Sequence, residues 1–180
     1  DLAMYADQSN ERFPYCDDMV DNSFSWYSPL MFEALSDTVI KDKVEEIVGE
    51  KLYPTYTYAR IYYKDAVMHK HIDRSSSEVS ASLCIKVDRD FPWHLGIENK
   101  SGESFYIEQT PGDMIVYDGN ELYHWREPYQ GTEQINAFFF FVKANGKKQE
   151  LKYDTRPMLG MPSSFRKMTS EQQANKFPQT

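Results

Sequence analysis

Cysteine is nearly absent from this 180-residue chain, which carries only Cys16 and Cys84. Two thiols cannot build the disulfide framework of a small secreted domain, so a reducing, cytoplasmic compartment is the expectation. Long apolar runs are missing too. The longest, Ala137 to Val142, has six residues, far short of the ~20 that a membrane-spanning helix needs. Excess positive charge is also lacking: the formal net charge is −8, and Lys and Arg are scattered. That argues against a nucleic-acid partner, because a sequence-independent grip on phosphates depends on clustered cations. Neither nucleic acid nor membrane is expected as a partner. Histidine is scarce as well, with four in all. A site built on imidazole therefore has few ways to be assembled.

Aromatic residues are plentiful, at 15% with 13 Tyr, which favours strands and a pocket that stacks or hydrogen-bonds a ligand. The length suits one domain with a sound core. Residues 1–27 read as an irregular lead-in whose Phe13, Phe24 and Trp26 pack on that core. Ser28-Pro29 reads as a cap and first helical residue, opening a short helix to about Leu35. A second helix follows, capped by Ser36, with Asp37 at its positive end. Ile40, Val44, Ile47 and Val48 recur at helical spacing, and Gly49 supplies a left-handed stop. This helix is expected to lie outside a sheet.

From Leu52 the period becomes two. Residues 55–63 place Tyr58, Arg60 and Tyr62 on one face and Ala59, Ile61 and Tyr63 on the other. Lys64-Asp65 turns the chain into a strand at 67–73. In 79–86, Ser80, Ser82 and Cys84 alternate with apolar Val79, Ala81, Leu83 and Ile85, which suggests a wet lumen. Short strands are further expected at 95–98, 103–108, 114–117, 121–126 and 135–142, with turns at 100–102, 109–112 and 118–120. Such spacing means a sandwich or barrel. The division is then 1–51 as lead-in and flanking helices, 52–146 as the β core, and 147–180 as an extended arm or loose tail, separable from the barrel, that helps cover its mouth or contacts a partner.

His71-Ile72-Asp73 is the focal stretch. Residues two apart on a strand share a face, so His71 and Asp73 can reach one ion, and a third donor must come from His69, His94 or His124, of which His124 follows the run Pro111–Tyr117. Two imidazoles and one carboxylate leave coordination positions open, the donor set of non-haem Fe(II) oxygenases. His69 shares the same face but reads as solvated or as a supporting residue, and His94 as a packed one. Arg74 reads as lining the mouth, or as a solvated strand end.

The ordered set His71-x-Asp73-x-Ser75, Pro111-Gly112-Asp113 and His124 resembles the Fe(II)- and 2-oxoglutarate-dependent oxygenases, in particular the prolyl 4-hydroxylase-like branch, over roughly residues 52–146. The resemblance implies a mainly β double-stranded β-helix, a jelly-roll variant, with flanking helices. It implies His71, Asp73 and His124 as iron ligands and catalytic centre. Fe(II) and O₂ with 2-oxoglutarate as co-substrate follow, ascorbate is an expected reductant, and succinate and CO₂ are released as a substrate C–H bond is hydroxylated. The substrate class is a small molecule or a peptide. One departure stands out: where the family usually has an arginine for the far carboxylate of 2-oxoglutarate, this chain has Gln134. Arg126, on the face of His124, is the favoured substitute, with Arg60 and Lys86 as the other cations and Tyr62, Gln134 and Asn136 as neutral partners; a surface ion pair is the alternative for each cation, and for Lys86 it is the preferred reading. Tyr58, Tyr62, Trp93 and Trp125 are candidate pocket walls. The alternatives are a non-catalytic metal or small-ligand module on the same scaffold, and a cupin-like enzyme. The His-x-His pair His69/His71 favours a cupin, but the glutamate spacing after it and the distance from Gly112 to His124 do not.

Overall fold

The structure, a computed structural model, describes residues 20–27, 29–36, 38–161, 163–170 and 172. Phe13, the cap at Ser28, Asp37 and the break at Pro162 lie outside them. Among the described residues nine strands run β1 (Ser23–Trp26), β2 (Leu52–Tyr63), β3 (Met68–His71), β4 (Val79–Lys86), β5 (Leu95–Glu98), β6 (Ser104–Ile107), β7 (Met114–Asp118), β8 (Tyr123–Arg126) and β9 (Glu133–Lys143). Two helices, α1 (Pro29–Ser36) and α2 (Thr38–Val48), separate β1 from β2. The strands form a five-stranded sheet, β1-β2-β9-β4-β7, and a four-stranded sheet, β3-β8-β5-β6. Every pairing is antiparallel. The architecture is a double-stranded β-helix.

The period-two faces divide as the alternation dictates. Ala59, Ile61, Val79, Ala81, Ile135, Ala137, Phe139 and Phe141 face the helices and join Met31, Leu35 and Val44 in one core. Each such side chain, fully buried, contributes roughly 1.5–3 kcal/mol if it is as large as Leu or Phe. Tyr62, Phe138 and Phe140 face inward and meet Leu95 and Ile97 of the second sheet. β9 is sandwiched between these two cores, which explains why its centre is apolar on both faces.

Several expectations need correction. The lead-in is not wholly irregular: β1 pairs with the edge of β2, Ser23 opposite Tyr62 and Trp26 opposite Ala59. Ser36 does not cap α2, because its hydroxyl donates back to the Phe32 and Glu33 carbonyls and closes α1. Ile47 is 55% exposed; the buried stripe of α2 is narrower than its apolar pattern. Gly49 does end α2, at φ 77° with its N–H bonded to the Glu45 carbonyl.

Glu45 ties α2 to β2. Its buried carboxylate accepts from Lys41, from Lys51 at 2.6 Å and from the Leu52 N–H at 2.9 Å. Burial alone would raise its pKa, but these three donors outweigh burial and hold it at about 2. Because the folded value is depressed, the stabilisation is full above the unfolded carboxylate range, near 4.3, and is lost as pH falls toward 2. Glu45→Gln is therefore expected to lower stability by about 1–3 kcal/mol at neutral pH. Urea midpoints of the two proteins should converge as the pH approaches 2.

The arm starts with a 3-10 segment, Gln149–Thr155, and a second turn, Ser163–Phe165. Leu159 packs on the helix-side core and Gly160 faces the Phe32 ring. No helix among the described residues is long and apolar enough to cross a membrane.

Candidate metal centre

β3 and β8 pair with His71 directly opposite His124, which sets the two imidazoles side by side with ring centroids 4.3 Å apart. β3 ends at His71. Asp73 therefore belongs to the loop beyond the strand, a correction to the expected 67–73 strand. It is brought back by its N–H, which donates to the Gly119 carbonyl at 2.7 Å. Asp73 Oδ1 then stands 3.8 Å from His71 Nε2 and 3.6 Å from His124 Nε2. One donor atom from each residue falls within 4.8 Å of the others, close enough to share an ion.

The surroundings suit metal ligation. Nδ1 of His71 faces the His69 carbonyl at 2.6 Å, and Nδ1 of His124 faces the Leu122 carbonyl at 3.1 Å. A carbonyl only accepts, so both Nδ1 atoms carry the proton and both Nε2 lone pairs are left for an ion. Burial, followed by the neighbouring His124, holds the His71 pKa below its usual value. Ser80 Oγ donates to Asp73 Oδ2 at 2.7 Å, which leaves Oδ1 toward the histidines. Asn120 Nδ2 donates to the carbonyls of Asp73 and Arg74. A Cβ on Gly119 would lie 2.5 Å from Asp73 Oδ2 and 2.3 Å from Ser80 Oγ. Only glycine lets this turn approach the carboxylate. Two imidazoles held through Nδ1, with Nε2 turned inward, and one oriented carboxylate thus fit a divalent ion such as Fe(II).

Ser80 and Gly119 were visible in the sequence only as a lumen residue and a turn residue. Tyr117, whose ring meets His124 edge-on at 4.9 Å, carried no signal beyond its strand.

A cavity of about 310 Å³ opens beside the three donors. Its walls include Tyr56, Tyr58, Arg60, Tyr62, Tyr117 and Arg74. Burial pushes the Tyr58 and Tyr117 phenols well above their usual range and Tyr56 up to about 12, so all stay protonated donors. Arg60 donates to Ser23 Oγ at 3.1 Å. Trp93 and Trp125 are not among the residues lining this cavity. Trp93 packs between Tyr62 and Tyr129. Trp125, next to inward His124, points outward over Gly96 and under Lys70. His94 is exposed beside Glu108 instead of packed. His69 is exposed near Asp21, and only its carbonyl supports the centre.

Arg126 is 2% exposed. It donates to the Trp93 carbonyl and to Gln109 Oε1, the latter at 2.9 Å, with its guanidinium 4.9 Å from the Trp93 ring centroid. All of these partners are neutral. Among the described residues it has no carboxylate partner, although Tyr62 and Tyr117, which line the cavity, lie within its electrostatic reach. Gln134 donates to Asn136 Oδ1 at 2.8 Å, and Asn136 donates to Ser82 Oγ and Gln109 Oε1. Gln134 Oε1 is buried without a hydrogen-bond partner among the described residues. Lys86 is elsewhere: a bulge between Cys84 and Lys86 breaks the alternation, and Lys86 pairs with Glu133 at the surface.

Neither protein-family models nor curated proteins give a match to the sequence. Solved structures do. A Pseudomonas putida prolyl-4-hydroxylase aligns over 79% of this chain and 84% of its own at 16% identity, with a TM-score of 0.61. HygX from Streptomyces hygroscopicus, solved with nickel, 2-oxoglutarate and hygromycin B, aligns over 82% and 79% at 13% identity and TM-score 0.59. EctD from S. alaskensis, with 2-oxoglutarate and 5-hydroxyectoine, aligns over 92% and 77% at 14% identity and TM-score 0.57. The fold is therefore the jelly roll of the 2-oxoglutarate–Fe(II) oxygenases, and the prolyl-hydroxylase-like branch is among its structural neighbours. At such identities the likeness is one of fold.

Proposed function

We propose that this chain is an Fe(II)- and 2-oxoglutarate-dependent dioxygenase that hydroxylates a C–H bond of a small molecule or peptide. The observation that carries the reading is the meeting of His71, Asp73 and His124, with both Nε2 atoms and one carboxylate oxygen turned to a common point beside a cavity. Fold alone would not carry it, since one scaffold serves many chemistries. Bound there, iron would supply oxidation of the substrate coupled to decarboxylation of 2-oxoglutarate, with O₂ as oxidant.

The chain's own contribution is positioning. Nδ1–H bonds fix both rings, Ser80 and the Gly119 turn orient Asp73, and the aromatic wall excludes water from the reacting carbon. Arg126 is the group we assign to the far carboxylate of 2-oxoglutarate. A fully buried guanidinium without a carboxylate partner is costly, and a dianionic co-substrate would relieve it.

Anaerobic addition of Fe(II) and then 2-oxoglutarate tests the reading. Chelation of iron by the keto acid should produce a weak visible charge-transfer band, and admitting O₂ should release succinate. Tight metal binding with no band and no succinate would leave a metal-binding module on the same scaffold.

A further inference from the structure

Arg74 lines two cavities. One is the cavity of the metal centre; the other, of about 560 Å³, is walled by the arm. That second volume is in the range of small-molecule sites. Its cations are Arg74, Lys147, Lys148, Arg166 and Lys167, against the two carboxylates of Glu150 and Asp154. On a chain of net charge −8 such a surplus is a local exception.

Neither carboxylate consumes it. Asp154, 3% exposed, is held by Arg74 at 2.6 and 3.0 Å, by Arg156 at 2.9 Å, by Ser76 at 2.8 Å and by Arg166. Burial would raise its pKa, but the hydrogen bonds from Arg74 and Ser76 and the arginine charges hold it below the usual range. Glu150 accepts from the N–H and hydroxyl of Ser170. Lys148 donates to neutral Asn120, and the Lys147 and Lys167 ammonium groups have no partner among the described residues. Three arginines on one carboxylate are thus aligned, while the three lysines form no ion pair among the described residues, Lys148 acting on Glu121 only at a distance.

The backbone is strained to make this arrangement. Tyr153, Asp154 and Thr155 have φ of 55°, 55° and 62°, a left-handed run that costs about 1–2 kcal/mol per residue. Strain of this kind marks sites the surrounding structure holds in place. The residue common to the walls of the two cavities is Arg74, and Asn120 ties them further, accepting from Lys148 and donating to the carbonyls of Asp73 and Arg74.

We infer that this basic cavity seats an anionic group, a carboxylate or phosphate, of a small-molecule substrate whose reacting carbon lies in the adjoining metal cavity. The substrate part of this assignment rests on the oxygenase reading above, whereas the anion site itself does not. Bidentate Arg74, already oriented by Asp154, would guard the passage between the two, and the lysines would supply the charge.

Metal-free protein titrated calorimetrically with inorganic phosphate at constant ionic strength tests the site. Wild type should bind, and Lys147→Glu/Lys167→Glu should bind about tenfold or more weakly. Both side chains are exposed, so folding is not at stake. Lys43→Glu/Lys64→Glu, with the same change in net charge, should leave phosphate affinity unchanged. Equal affinity in wild type and the first double variant, or equal loss in both double variants, overturns the inference. In turnover, compounds that stimulate succinate release should carry a carboxylate or phosphate. The first double variant should raise their KM with kcat retained; stimulation by neutral compounds only, or an unchanged KM, would sink the substrate assignment. The iron–2-oxoglutarate band separates the two readings. Phosphate binding without the band supports the anion site while removing the oxygenase, and the band without phosphate binding overturns the anion site alone.

Discussion

Asp73→Ala is expected to weaken Fe(II) binding by more than about a hundredfold, because losing even an outer hydrogen-bond partner of a metal ligand costs roughly 10–100-fold. The carboxylate is the only anion among the three donors, and its Oδ1 is the atom both histidines face. Ser80→Ala, which frees Oδ2, should cost about tenfold by the same reasoning. His69→Ala should change little: its ring is exposed, and the carbonyl that orients His71 remains. Metal titration of the three variants, each checked for thermal unfolding without metal, gives the order. Should metal affinity follow His69 while Asp73→Ala binds normally, the ion lies elsewhere and the centre is misassigned.

This centre was legible because its two halves obey local rules. His71 and Asp73 are two residues apart, and His124 follows a turn and a strand whose period was readable. What the sequence concealed depends on contacts across the chain. Asp73 is placed by the Gly119 carbonyl, 46 residues on, and not by strand geometry. The bulge that turns Lys86 outward has no composition of its own, yet the surface ion pair expected for that lysine is there, with Glu133 as its partner. Trp125 was misread: aromatic residues on a strand suggest a pocket wall, but the residue next to an inward histidine must face out. β1 is four residues with two serines, too short for a period to show, and becomes a strand only through the edge of β2. The Asp154 clamp could not be read at all, since Arg74 precedes it by 80 residues and nothing in the arm repeats.

Arg126→Gln is expected to weaken 2-oxoglutarate by about two to three powers of ten while leaving Fe(II) affinity nearly unchanged. The size follows from breaking a buried charge pair, about 3–5 kcal/mol, with each 1.4 kcal/mol worth tenfold. Two cations compete for the role, and their environments differ. Arg60 lines the cavity of the metal centre and donates to the Ser23 hydroxyl. Arg126 is buried, hydrogen-bonds only neutral groups among the described residues, and shares Gln109 with Asn136 at the end of a polar chain that runs to Gln134, whose Oε1 has no partner among those residues. A guanidinium with two hydrogen bonds to carbonyl oxygens still has donors to spare, and a carboxylate is the partner that would neutralise it. Gln134 on β9 and Arg126 on β8 stand in different sheets, and Gln109 and Asn136 link them by hydrogen bonds; Arg60, not Arg126, is the one of the two cations that lines the cavity of the metal centre. Arg126→Lys should recover part of the affinity, because the charge returns without the planar fork. Equilibrium titration of the iron–2-oxoglutarate band in Arg126→Gln and Arg60→Gln decides between them. If Arg60→Gln abolishes co-substrate binding and Arg126→Gln does not, the countercharge comes from β2, and the buried Arg126 serves the packing of Trp93 instead.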